Sequence, residues 1–156
     1  MNRGLDTFIA NSTYLSLDKY LRGQYKVTDL PPGGLEEATE LIRRVNRCLN
    51  IVDGLLALDT PARKLEASKV FVTSGYRSKE HNARIGGSSR SAHVECKAVD
   101  VADVGQIISQ FLYKDWLRWK EDSVLAICDL YLEHPSATAS WCHLTTRPVS
   151  VRVFNP

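Results

Sequence analysis

Ser91-Ala92-His93-Val94-Glu95-Cys96-Lys97-Ala98-Val99-Asp100-Val101-Ala102 reads as a polar loop running into a strand. If Ala98 to Ala102 is extended, alternation puts Val99 and Val101 on a core face and Ala98, Asp100 and Ala102 on the other. An imidazole at the loop end and a carboxylate seven residues on can therefore meet on the face away from the apolar side. Spacing of this kind arises by chance, so its weight depends on what the rest of the chain brings to it.

Upstream, Leu35, Ala38, Leu41, Ile42, Val45, Leu49, Val52, Leu55 and Leu56 recur at three- and four-residue intervals after the breaker run Pro31-Pro32-Gly33-Gly34. This predicts a long amphipathic helix over 35–56. Lys69 to Thr73 reads as a short strand, Ser74-Gly75-Tyr76-Arg77-Ser78 as the turn that ends it, and Lys79 to Arg84 as helical. Gly86-Gly87-Ser88-Ser89 is a loop. Downstream, Val104 to Trp119 reads as a second long helix, followed by strands over 127–133, 141–146 and 149–154. No internal repeat or low-complexity tract interrupts this order, which sets solenoid architectures aside.

Alternation splits Ile127 to Glu133 into Cys128, Leu130 and Leu132 against Asp129, Tyr131 and Glu133, and Trp141 to Thr146 into Cys142 and Leu144 against Trp141, His143 and Thr145. Paired as a hairpin through 134–140, the two strands share a core face, and Glu133, Tyr131, Trp141 and His143 share the open one. Two imidazoles and one carboxylate form a three-ligand catalytic zinc set with a fourth position left for water. A carboxylate outside that set, Glu133, suits proton transfer, and Arg77 at a strand exit suits a substrate carboxylate or a developing oxyanion.

Composition narrows the classes. The 156 residues are 44% hydrophobic, enough for one domain with its own core, described here as a helical part over about 1–60 and a site-bearing part over about 69–156. The formal charge of +2 is spread without a basic stripe, which argues against a nucleic-acid partner. Met1 to Leu21 lacks the pattern of a secretory signal, and no stretch suits a membrane span, so synthesis in the cytoplasm is expected. Cys48, Cys96, Cys128 and Cys142 lack CxxC spacing and sit among apolar neighbours, as reduced buried thiols do.

Ser74-Gly75-Tyr76-Arg77, Ser91-Ala92-His93 through Ala98-Val99-Asp100, and Trp141-Cys142-His143-Leu144 together resemble the ordered signature of D-alanyl-D-alanine carboxypeptidase-like zinc peptidases, above all the small phage-encoded ones. The resemblance implies an α+β fold of the hedgehog/D-Ala-D-Ala peptidase kind, a small antiparallel sheet flanked by helices. It implies Zn2+ held by His93, Asp100 and His143, with Arg77 and Ser91 binding or polarising substrate. Tyr131 and Trp141 would wall the groove. Many relatives carry an acid three residues before the last His; Ser140 stands there, so the role of base passes to Glu133 at the preceding strand end. The substrate class implied is the peptide part of bacterial peptidoglycan, cut by a carboxypeptidase or endopeptidase at D-amino acid bonds. A monomeric endolysin or virion-associated protein, made in the host cytoplasm and acting on the wall after release or within a particle beside other virion components, fits that likeness.

The chain departs from the family pattern at Cys96, where relatives have Gly. That change and Ser140 motivate the rival reading, a zinc-binding module of the same fold that does not turn over substrate, as hedgehog signalling domains illustrate. Cys96 as an extra ligand and Glu95 as an alternative acid stay open. His81 on a polar stretch reads as solvated, and His134 beside Pro135 in the hairpin loop either contacts substrate or has no role, the second reading being preferred.

Overall fold

The computed structural model describes residues 3–5, 13–59, 65 and 69–156. The parts of the helical segment at 1–2, 6–12 and 60 lie outside these described residues. The elements are helix α1 (Leu17–Leu21), helix α2 (Gly34–Asp59), strand β1 (Val72–Ser74), helix α3 (Lys79–Arg84), strand β2 (Ala98–Ala102), helix α4 (Ile107–Trp119), helix α5 (Val124–Ile127), and strands β3 (Tyr131–Glu133), β4 (Trp141–Thr145) and β5 (Val153–Phe154). The architecture is α+β, one five-stranded sheet with helices against it.

α2 forms where the three- and four-residue spacing predicts it and runs three residues further. Ala38, Leu41, Val45, Leu49 and Val52 are fully buried, while Leu35 at its start is exposed. Each buried Leu or Val contributes about 1.5–3 kcal/mol against solvent exposure. Val99 and Val101 of β2, Leu132 of β3, and Cys142 and Leu144 of β4 meet the same set of buried side chains, which also takes in Leu5, Tyr14 and Tyr20. All four cysteines are free and buried. Among the described residues no helix is long and apolar enough to cross a membrane.

The sheet order is β1-β2-β4-β3-β5. β1 with β2, β2 with β4, and β3 with β4 are antiparallel, and β5 joins β3 in parallel. The hairpin of β3 and β4 forms in the register that alternation requires, with Leu132 facing Leu144. A bulge between Val72 and Ser74 shifts β1 by one residue, so that Ser74 comes opposite Asp100.

Several boundaries differ from the sequence reading, and the strand read over 69–73 spans Val72–Ser74. The strand expected over 127–133 begins only at Tyr131. Ser123 Oγ accepts the Ala126 N–H and starts α5, and Asp129 then takes a left-handed conformation at φ +50°, which breaks any strand there. Helix α4 begins at Ile107 rather than Val104, because Gly105 and Gln106 both adopt positive φ in a turn. The buried Asp103 carboxylate accepts the Ile108 and Ser109 N–H groups at 2.9 and 2.8 Å and closes that helix end. The strand read over 149–154 is confined to Val153–Phe154.

Candidate metal centre

The register builds the site in one row across the sheet. Ser74 pairs with Asp100, Asp100 with His143, and Glu133 with Phe154, while the Leu132–Leu144 pair brings Glu133 beside His143. Side chains two residues apart on a strand share a face, and directly opposed residues share it across strands, so these five side chains emerge together. His93 comes in from the loop before β2.

His93 is held from two directions. Its Nδ1 lies 2.8 Å from the Gly75 carbonyl, and its own carbonyl accepts the Arg77 N–H at 3.3 Å. A carbonyl can only accept, so Nδ1 carries the proton and Nε2 is left as a lone-pair donor. That Nε2 faces Asp100 Oδ2 at 3.3 Å, while His143 Nδ1 faces Asp100 Oδ1 at 2.7 Å. The donor atoms of His93, Asp100 and His143 all lie within 4.8 Å of one another. Ligand atoms about 2.0–2.1 Å from a tetrahedral zinc are roughly 3.3 Å apart. The His93–Asp100 spacing already matches this, and the His143–Asp100 hydrogen bond has to open by about half an ångström. The Gly75 carbonyl is the outer partner that ligating imidazoles usually have. Two nitrogens and one carboxylate oxygen, with the tautomer of His93 fixed, therefore fit a zinc ion.

Burial pushes the Asp100 carboxyl upward, but hydrogen bonds and charge from His143 and His93 together outweigh it and hold it well below the usual carboxylate range. Glu133 moves the other way. Burial is the main cause and Asp100 adds to it, against an opposing pull from His143, so its carboxyl sits above the ordinary range. Its Oε2 is 3.9 Å from His143 Nδ1. A carboxyl raised in this direction beside a metal-ligand set is a candidate for acid–base work.

Arg77 reaches the site but is already engaged. Its Nε donates to Ser74 Oγ at 2.8 Å and its Nη2 to Asp100 Oδ2 at 3.3 Å. Ser91 Oγ accepts the His93 N–H at 3.3 Å, and Ser91 also lines the groove. That groove, about 320 Å³, is bounded by Ser88, Arg90, Ser91, Ala92, Glu133, His143, Thr145, Arg147, Val149, Phe154 and Pro156. Tyr131 and Trp141 do not line this cavity. The Tyr131 ring lies under the Arg152 guanidinium, 4.2 Å from its centre, and Trp141 sits beside Ala102 two residues along β4 from His143. The walls that the sequence did not indicate, Arg90, Arg147 and Phe154, come from a loop, a turn and the parallel strand β5. No local pattern marks them.

The alternatives left open by the sequence resolve in space. Cys96 is fully buried, and the added Cβ of an alanine at Gly34 would lie 3.2 Å from its Sγ, so the thiol packs under the start of α2 instead of at the metal site. Cys96 has φ +59°, which explains why glycine suits this position and shows what the cysteine tolerates. Glu95 is exposed and pairs with Arg147 at 3.4 Å. His134 stacks edge-on against Tyr113, and the His81 backbone caps against Ser78, so neither joins the site.

The fold and the donor set define a metallopeptidase-like centre. Comparison with protein families matches residues 33–128 to the family described as Peptidase M15. The chain belongs to this family of D-Ala-D-Ala carboxypeptidase-like zinc peptidases, whose members are zinc-dependent. The match spans well over half of the chain and includes Arg77, Ser91, His93 and Asp100, but it ends before Glu133 and His143. No curated protein and no solved structure matches it.

Proposed function

We propose that this protein is a zinc peptidase of bacterial peptidoglycan, cutting at bonds next to D-amino acids, with His93, Asp100 and His143 as metal ligands and Glu133 as the proton-transfer group. The observation that carries the reading is the transverse row: one carboxylate faces an imidazole on each of its two oxygens, and a second carboxylate with raised proton affinity stands beside the second imidazole. When bound, zinc supplies a Lewis acid that polarises a carbonyl and brings a water toward neutral pKa.

The protein's own residues do the rest. Glu133 accepts a proton from the attacking water as the new C–O bond forms, and hands it to the nitrogen as the C–N bond breaks, so that one water is consumed and an acid and an amine leave. Gly75 holds His93 in the required tautomer. Arg77, tied to Ser74 and Asp100, orders the Asp100 side and presents positive charge toward the developing oxyanion. Ser91 lines the groove beside His93 and suits a hydrogen bond to substrate. The helical and site-bearing parts share one set of buried side chains, which supports one peptidase domain. A monomeric endolysin or virion-associated wall-degrading protein is the role in keeping with this chemistry.

The test is release of new amino groups from purified Gram-negative peptidoglycan by zinc-loaded protein, with a chelated sample and His93→Ala as controls. Chelator-sensitive release that is lost in the variant is the expected result, and fragment masses name the bond. Absence of release from folded, zinc-loaded protein would favour the non-catalytic zinc module.

A further inference from the structure

Two arginines line the groove, and they differ in what they already hold. Arg147 is committed: Nη1 and Nη2 donate to the Arg90 carbonyl at 2.5 and 2.6 Å, and Nε is 3.4 Å from Glu95 Oε2, which balances its charge. Arg77 is committed to Ser74 and Asp100 and is not part of the groove lining. Arg90 is exposed, and its guanidinium has no ion-pair or hydrogen-bond partner among the described residues. Its backbone is nonetheless fixed, by the Arg147 clamp on its carbonyl and by its N–H donating to Ser88 Oγ at 3.2 Å.

The groove thus contains one uncompensated cation on an anchored stretch of chain, in the same cavity as Glu133 and His143. It also contains the apolar surfaces of Ala92, Val149, Phe154 and Pro156. A cation of this kind recognises an anion, and its planar fork matches a carboxylate. Small apolar walls accept short aliphatic side chains such as methyl groups. Building on the peptidoglycan reading above, we infer that Arg90 is the carboxylate anchor of the groove and selects peptides that carry a free carboxylate next to a small apolar residue. Arg90 acts in binding and does not touch the reacting bond.

In a wall peptide that carboxylate comes either from the chain terminus or from an internal acidic residue. Binding is therefore measured by calorimetry on the full chain carrying Glu133→Gln, zinc-loaded so that turnover is blocked, with three synthetic stem pentapeptides. One keeps all its carboxylates, one is amidated only at its C-terminus, and one only at its internal acids. One of the amidated peptides should bind about tenfold more weakly than the free acid, and which one it is names the source. Adding Arg90→Ala should erase the difference, and Arg90→Lys should keep part of it. Equal binding of all three peptides, discrimination that survives Arg90→Ala, or no binding of any of them at millimolar concentration overturns the inference. The cleavage assay judges the peptidase reading separately: wall hydrolysis with no Arg90-dependent preference removes only this anchor, while an Arg90-dependent preference without hydrolysis removes only the catalysis.

Discussion

Gly75→Ala tests the architecture that positions the first imidazole. An added Cβ at Gly75 would overlap the Tyr20 carbonyl oxygen and lie 2.8 Å from its carbon and 3.0 Å from the Tyr20 ring. Ordinary carbon contacts are about 3.5–4.0 Å, so α1 and the turn after β1 must separate by about 1 Å. Tyr20 is fully buried, and the clashing atoms are largely backbone, which cannot rotate aside. Overpacking costs about 1–3 kcal/mol, and this site belongs at the upper end, about 3 kcal/mol. With a urea slope of about 2 kcal/mol/M, the midpoint of zinc-free protein should fall by about 1.5 M. The same shift draws the Gly75 carbonyl away from His93 Nδ1, and loss of such an outer partner weakens metal binding about 10- to 100-fold. Gly33→Ala is the control: nothing lies within 4 Å of its added Cβ, but φ is +74°. It should cost about 1 kcal/mol through backbone strain alone and leave zinc affinity, read by chelator competition, unchanged. An unchanged urea midpoint and zinc affinity for Gly75→Ala would refute the account of how His93 is held.

Glu133→Gln should keep zinc bound and lower kcat by about 10²–10⁴-fold. Because the base works ionised, wild-type kcat/KM should fall on the acid side as the Glu133 carboxyl takes up its proton, and that limb should vanish from the residual activity of the variant. In zinc-free protein Asp100 is held low, so it should stabilise the fold above its unfolded value of about 3.9 and lose that contribution as pH falls through the folded one; Asp100→Asn should flatten this part of the stability–pH curve measured by urea unfolding. Burial pushes the Cys96 thiol up to about 11, so it should resist a thiol reagent at pH 8 until the protein unfolds. Cys96→Gly, which relieves the positive φ, should be more stable than Cys96→Ala, which loses the buried thiol and keeps the strain, although alanine is usually the better of the two; equal or reversed midpoints would show that the backbone there is unstrained.

Periodicity reveals elements whose two faces differ sharply. β2 was legible end to end because Val99 and Val101 alternate with a carboxylate, and α3 because Ser78 opens it and Gly86-Gly87 follows it. Residues 124–130 were ambiguous for a physical reason. Val124, Leu125 and Cys128 are spaced as a helix requires, while Cys128, Leu130 and Leu132 alternate as a strand requires, and all five are buried. The cap at Ser123 decides between them. In the same way His93, Asp100 and His143 could be picked out by residue type and order, whereas Arg90 and Phe154 could not, since what brings them together is the parallel docking of β5 on β3 and a clamp between two arginines.

The site's dependence on register ties its chemistry to the core. A slip of β4 by one residue against its neighbours would send His143 to the apolar face and bring Leu144 to the groove. Leu144, Leu132, Val99 and Val101 are all fully buried, and exposing even Leu144 alone would cost about 2 kcal/mol, before the burial of a misplaced polar ring is counted. The slip also parts Asp100 from the His143 ring that it faces at 2.7 Å. Packing on one face of the sheet and the polar row on the other therefore specify the same alignment, and each guards the other. This is why a β4 substitution such as Leu144→Ala should loosen zinc binding although Leu144 touches no ligand atom: the cavity weakens the pairing that holds His143 opposite Asp100. A Leu144→Ala protein that is destabilised by the usual 2–5 kcal/mol, yet binds zinc as tightly as wild type while folded, would show that the metal row holds its register without help from the core.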